Sequence, residues 1–298
     1  MEGGKKVFKL LKGLQSFKEF SRLVMQHRMG IAGIILFAIF GFIAIFAPFL
    51  RTVDPMRGGL PVNILEPPSS QFWLGTDNLA RDVWSQTVYG TRISLTIGFI
   101  AAFVTVGIGT LLGLIAGYFR GKIEEVVMRI VEYFMMLPFL PLMLVFTAVM
   151  GQNIWNVVLL IGVLAWTGTA RIIRSQVLSL RERAFVEASR SVGAGDRLLI
   201  FGEIMPNVVP LVFAQGIVLC TWAIYAEATL AFLGLGDPNV MSWGKMLNLA
   251  YTSGYLTRAP WWVIPPIACI VLLILAFTFL GTAVSDIMKP GYREARGL

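Results

Sequence analysis

The sequence predicts an all-α polytopic membrane protein with six transmembrane helices and both termini cytoplasmic. Three observations carry this expectation. Hydrophobic residues make up 56% of the 298 positions and charged residues only 14%, with a mean hydropathy of +0.74, far from the balance of a water-soluble domain. Several long runs carry no charged residue at all, and a hydrocarbon core about 30 Å thick needs about 20 apolar residues as helix. Lys and Arg are distributed unequally among the segments between those runs, which sets orientation. A helix satisfies its backbone amides internally in lipid, whereas the alternating pattern of a membrane barrel strand is absent here.

The first span covers residues 29–50. Its apolar run and the basic stretch before it are both longer than those of a cleavable signal peptide, so the span is expected to be retained. Ahead of it, Val7, Leu10, Leu11, Leu14, Phe17 and Phe20 recur at helical spacing among Lys5, Lys6, Lys9, Lys12 and Lys18. That pattern makes residues 1–28 a cytoplasmic, basic, amphipathic segment lying on the inner membrane surface. An external segment, 51–92, begins irregularly at Pro55, Gly58, Gly59, Pro61, Pro67 and Pro68. Asp77 is then expected to cap a short helix over 78–89, with Arg81 four residues on and Gly90 ending it.

The core, 93–284, supplies five further spans. Residues 93–119 form the second. The charge-free run 133–170 is too long for one crossing and breaks at Gly151, Gln152 and Asn153, which predicts a third and a fourth span joined by a tight external turn. Residues 204–226 form the fifth, residues 235–258 a second external element, and 259–285 the sixth span, followed by a cytoplasmic tail at 285–298. With the N-terminus inside, seven basic residues precede Met29, three fall between Arg120 and Arg129, six between Arg171 and Arg197, and three in the tail. Only Arg51, Arg57, Arg81, Arg92, Lys245 and Arg258 fall outside, so the positive-inside rule places both termini in the cytoplasm.

The net charge of +8 therefore reads as topology and contact with anionic lipid rather than nucleic-acid binding. Cys220 and Cys269 both lie in spans with no second thiol or imidazole at ligand spacing, and His27 is the single histidine. No metal site, disulfide framework or histidine-assisted nucleophile follows. No repeat of 20–50 residues and no inverted halves are visible. Six spans are few for a complete alternating-access transporter, and a dimer is the natural remedy.

Residues 187–206 are the segment most suited to another protein. A loop between two spans needs few residues, yet this one spends about twenty on two short helical pieces. Phe185, Ala188 and Val192 share one helical face, flanked by Glu187 and Arg190, before Gly193, Ala194 and Gly195 break the helix. Asp196 is expected to cap a second piece with Leu198, Phe201 and Met205 in its stripe, ended by Pro206. Ala188 and Ser189 are small enough to admit another backbone closely. The alternative is that both stripes pack on this chain's own spans.

The order Glu187-Ala188-Ser189, Gly193, then Pro206 resembles the Glu-Ala-Ala loop of ABC importer permease subunits. The run Leu74-Gly75-Thr76-Asp77-Asn78-Leu79-Ala80-Arg81-Asp82-Val83-Trp84-Ser85, followed by Tyr89-Gly90-Thr91-Arg92, is similar to the hallmark of the second permease of dipeptide, oligopeptide and nickel importers. That hallmark usually has Gly at Ala80 and Arg at Gln86. Glu227-Ala228, Phe232 to Gly236, Ser242-Trp243-Gly244 and Pro260-Trp261-Trp262 resemble the same subunit, while Thr278, Thr282 and Ser285 depart from its terminal pattern.

The resemblance implies a type I ABC importer transmembrane domain that imports peptides, or else oligosaccharides or nickel. Its partners would be a homologous second permease, two ATP-binding subunits and an extracytoplasmic solute-binding protein. It also implies that Phe185, Glu187, Ala188, Ser189, Arg190, Gly193, Asp196 and Pro206 form the ATPase-coupling loop.

No phosphate-loop signature is present, so ATP and magnesium are expected to be used by the partner ATPases and no cofactor by this chain. Glu227, a carboxylate near the outer end of the fifth span, is a candidate pathway or outer-gate residue, or else pairs with Arg92 or Arg258. Asp77, Arg81, Asp82 and Trp243 are candidate external contacts. Arg129, Glu132, Arg171 and Arg174 are expected to set topology or gate the cytoplasmic mouth. An intramembrane lipid-modifying enzyme using Glu227 or Asp286 is the different-class alternative, disfavoured because no carboxylate or His cluster accompanies them.

Overall fold

The computed structural model describes residues 24–288 apart from Gln26. The expected amphipathic segment and most of the cytoplasmic tail lie outside the described residues. The order of elements is α1 (Arg28–Leu50), a single 3-10 turn (Pro61–Asn63), α2 (Val83–Phe119), α3 (Gly121–Met136), α4 (Phe139–Met150), α5 (Ile154–Arg181), α6 (Ala184–Ser191), α7 (Asp196–Phe232), α8 (Trp243–Thr252) and α9 (Pro260–Met288). Among the described residues there is helix and one isolated β-bridge. Helices α1, α2, α5, α7 and α9 are each long and apolar enough to cross a bilayer, and α3 with α4, bent by 86°, makes a sixth where the broken pair counts as one span. The described residues thus hold five to six candidate spans.

The break has a local cause. Leu137 precedes Pro138, and a residue before proline is driven out of the helical region; Leu137 is extended at φ −73, ψ 130 and ends α3. The expected third span, beginning near Tyr133, is therefore a helix that starts at Gly121 and turns sharply before α4. At the far end Gly151 adopts φ +87 and Asn153 caps α5 by accepting the Trp155 amide at 2.8 Å, which makes the tight turn that the polar break predicted.

Helix α2 is the spine, packing on α5 over most of their shared length and also on α7, α1 and α8. Three glycines four residues apart allow this. A Cβ at Gly109 would lie 2.6 Å from the Thr169 Cβ, at Gly113 2.7 Å from the Ala170 carbonyl oxygen, and at Gly117 2.8 Å from the Val177 Cβ. Small residues at helical spacing permit backbones to approach where lipid provides no hydrophobic drive between helices. Either side of this seam lie apolar clusters, one around Ile97, Met143, Ile161 and Leu230 and one around Leu114, Ile173, Val177 and Val208. Trp243, Trp262, Met246 and Phe40 build a third beneath the outer surface.

The expected short helix over 78–89 is corrected. Asp82, not Asp77, is the cap: its carboxylate accepts the Trp84 and Ser85 amides at 3.3 and 3.0 Å, and α2 runs from Val83 straight through Gly90. Ala80 holds φ +55, so residues 77–81 form a turn that cannot be helical, and the position explains why the resembled hallmark favours Gly. The second cassette piece is corrected too. Gly195 is its N-cap, Asp196 makes no cap bond, and the helix does not stop at Pro206 but continues to Phe232.

The transition passes through a π-helical stretch, Leu199–Ile204, in which the Met205 amide reaches back five residues to the Ile200 carbonyl. Proline at 206 has no amide to give Gly202, and widening the preceding turn avoids the ring's clash with that carbonyl.

Replacing Gly113 by Leu is expected to destabilise the chain by about 2 kcal/mol through overpacking, read as a lowered thermal midpoint in detergent. Gly107→Leu, where no atom lies within 4 Å of the added Cβ, should leave it unchanged.

Candidate functional site

The loop at 184–206, expected on the cytoplasmic side, has two faces. Helix α6 ends in a Schellman arrangement: Gly193 takes φ +85, its amide donates to the Arg190 carbonyl, and the Ala194 amide donates to the Ser189 carbonyl at 3.1 Å. That left-handed position is where glycine is favoured. The chain then re-enters α7 with the Leu198 amide on the Gly195 carbonyl at 2.9 Å.

Val186, Leu199 and Ile204 are buried among Leu114, Tyr118, Ile173, Val177, Leu180 and Val208 of α2, α5 and α7. The opposite face carries Phe185, Val192, Leu198 and Phe201, with Val192 86% and Phe201 63% exposed. Glu187, Ala188, Arg190, Gly193, Asp196 and Pro206 are also exposed, and Ser189 half-buried.

Of the two expected stripes, Phe185, Val192, Leu198 and Phe201 stay open while Met205 packs on the spans, and a separate set led by Val186 does the anchoring. Sequence spacing alone could not separate adjacent Phe185 and Val186, since both are apolar and lie about 100° apart on the helix.

Polar bonds fix the loop to the bundle. The Tyr118 hydroxyl, at the end of α2, donates to Asp196 Oδ1 at 2.6 Å. Arg181, at the end of α5, donates to the Tyr118 carbonyl and lies 5.7 Å from its ring centroid. Arg120 pairs with Glu182 at 2.7 Å, an exposed contact worth little by itself. Tyr118 is a residue that the sequence reading missed. Its signal was a lone phenol closing an otherwise apolar span.

Of the inner basic residues, Arg174 bonds Glu124 and thereby ties α5 to α3, while Arg129 pairs with Glu132 at 3.3 Å on the surface. Arg171 lies against the Met135 sulfur at 3.3 Å.

On the outer side, Asp77, Arg81, Asp82 and Trp243 are all buried, so they are not external contacts. Asp77 accepts from the Leu79 and Arg81 amides at 2.8 and 2.9 Å, from Arg81 Nε at 2.6 Å and from Gln86 Nε2 at 2.8 Å. Asp82 also accepts the Ser85 hydroxyl at 2.7 Å and the Thr52 hydroxyl at 2.5 Å. Trp243 Nε1 donates to the Thr87 carbonyl at 3.0 Å and Trp261 Nε1 to the Thr76 carbonyl at 3.2 Å. Motifs more than 150 residues apart thus close one knot. Burial and the nearby Arg81 charge hold the Lys245 ammonium below the usual lysine range, with Asp237 opposing.

Glu227 is 5% exposed. Ser94 Oγ stands 3.4 Å from its carboxylate, and Ser242 shares the small cavity around it with Ile93, Ile97, Val157 and Leu230. Neither Arg92 nor Arg258 forms an ion pair with it, so the expected pairing is corrected. Asp286 lies at the opposite end of the bundle, 3.4 Å from His27, which pins the start of α1 to the end of α9. Among the described residues no group of three His, Cys, Asp or Glu side chains is placed to hold a metal ion.

Residues 109–294 match the family model described as binding-protein-dependent transport system inner membrane component, and residues 16–68 match that of the N-terminal TM domain of oligopeptide transport permease C. The chain belongs to this transport family. It is accordingly a multi-pass component of the inner membrane. This inner membrane component is 34% identical over 275 residues to the dipeptide transport system permease protein DppC of Alkalihalophilus pseudofirmus, covering 92% of this chain and 90% of that one. It is 34% identical to the glutathione transport system permease protein GsiD of Pectobacterium atrosepticum, covering 92% and 91%. It is 31% identical to the oligopeptide transport system permease protein OppC of Bacillus subtilis, covering 95% and 92%.

Its fold matches a chain of the inward-facing MetNI methionine ABC transporter with a TM-score of 0.56 at 20% identity, covering 68% of this chain and 97% of that chain. The likeness shows a shared importer-type transmembrane fold.

Asp77→Ala is expected to cost about 3–5 kcal/mol, because it strands the buried Arg81 guanidinium without its carboxylate. Thermal unfolding followed by tryptophan fluorescence checks this, with the exposed Val62→Ala expected to leave the midpoint unmoved.

Proposed function

We propose that this chain is the membrane-spanning permease subunit of an ATP-driven importer of peptides, forming half of the translocation pathway. The observation that carries this reading is the exposed ridge Phe185, Val192, Leu198 and Phe201 on a loop whose other face is anchored to three spans. An apolar ridge flanked by Glu187, Arg190 and Arg197, facing away from the bundle, is the kind of surface that seats in a groove on another protein. The basic residues gathered on the same side support a cytoplasmic position for it. Cargo of the peptide class is supported by the relatives named for dipeptides, oligopeptides and glutathione.

In this reading two ATP-binding subunits supply the energy and a homologous permease completes the pathway, while a solute-binding protein delivers cargo from outside. Closure of the ATPases on nucleotide displaces the loop. The π-helical stretch Leu199–Ile204 and Pro206 pass the displacement into α7, where the ordinary i to i−4 ladder is already interrupted. The chain itself performs no hydrolysis.

Glu187→Arg reverses an exposed charge and should leave folding intact. Gly193→Val forces a β-branched residue into a left-handed conformation, which costs about 1–2 kcal/mol and tilts the ridge. Each is expected to lower co-purification of the ATPase subunits, and uptake of labelled dipeptides with it, at least tenfold. Normal association together with normal uptake in both would sink the docking role.

A further inference from the structure

The obvious route from the loop into the membrane is along the chain into α7. A second route is built by side chains. Tyr118 is 4% exposed, closes α2 one residue after Gly117, and donates its hydroxyl to Asp196 on the first turn of the loop's second piece at 2.6 Å. Arg181 holds Tyr118 from the other side, through the Tyr118 carbonyl and across its ring. A phenol that packs in the same apolar cluster as Val186 and Leu199 does not require a partner so far along the sequence. This one has a charge-assisted bond, about twice the strength of a neutral one, to a side chain on the loop given the docking role.

Beyond Tyr118, α2 is rigid towards α5. The Gly109, Gly113 and Gly117 contacts leave no slack between the two backbones. A displacement delivered to Tyr118 therefore moves the α2–α5 pair as a body rather than dissipating in side-chain rotation, since close-packed interiors transmit strain. The loop is thus tied covalently to α5 at one end and to α7 at the other, packed on the spans through Val186 and Leu199, and joined to α2 by this hydrogen bond.

We propose that Tyr118 is a positioning residue which, through its bond to Asp196, carries displacement of the cytoplasmic loop into the glycine-packed α2–α5 pair. This rests on the docking role given to the loop above.

The test uses the complete transporter with its ATPase subunits, comparing hydrogen exchange of residues 105–117 in the nucleotide-free and vanadate-trapped states. Wild type should show a clear exchange difference on trapping. Tyr118→Phe keeps the ring and its packing, and should retain ATPase association while the difference falls to less than half. In Asp196→Ala the exchange difference should fall to the same extent, and in Tyr118→Phe with Asp196→Ala it should be no lower than in either. Asp196→Asn, which preserves an acceptor, should restore most of the difference. A full difference in Tyr118→Phe, additive losses in the double variant, or no trapping effect in wild type would each overturn the proposal. Failure of wild type to bring down ATPase subunits would instead remove the docking role on which it rests.

Discussion

The close approach of α2 to α5 is the constraint on which the rest of the structure depends. Three glycines one turn apart bring the backbones together where a single methyl would collide with Thr169, Ala170 or Val177. In lipid, contact of this kind is a principal source of helix association. With the pair fixed, α7 has one face to lie against, α1 and α9 pack outside it, and both ends of α2 become places where loops are held.

At the outer end, Asp77 and Asp82 gather eight donors between them, from Thr52 to Gln86. The two carboxylates organise a segment with almost no regular structure, and Trp243 and Trp261 lock it onto α8 and α9. At the opposite end the 184–206 loop is anchored by a small apolar set and one phenol, and its larger apolar residues remain outside. The asymmetry is physical: one end closes its polar groups on itself, and the other leaves an apolar ridge open. Glu227 stands apart as a buried carboxylate close to two serines and, among the described residues, in no ion pair.

The spans were legible because lipid imposes a composition rule that any window can read: about twenty residues without charge. The break at Pro138 was less so, since hydropathy runs on through a bend. Residues 77–82 misled for a different reason. Asp77 and Asp82 both have the chemistry of a cap, and the choice between them is made by the left-handed Ala80 and by the bond from Thr52 to Asp82, which no local pattern reveals. Likewise Asp196 resembled a cap, but its carboxylate is engaged by Tyr118, 78 residues away. Proline at 206 looked like a helix end, and the chain instead absorbs it in a π-helical turn. The loop was found from its length and glycines, whereas the face it presents was decided by burial of Val186 rather than Phe185.

The claim that joins these observations is that the ridge on the cytoplasmic loop is completed by an ATPase subunit. Hydrogen exchange of residues 184–201, compared between the purified chain and the assembled transporter in the same detergent, tests it most directly. Strong protection appearing on assembly across Phe185, Val192, Leu198 and Phe201, with the outer segment 60–73 unchanged, is the predicted result. Equal exchange of the loop in both samples, with ATPase subunits present in the complex, would contradict it.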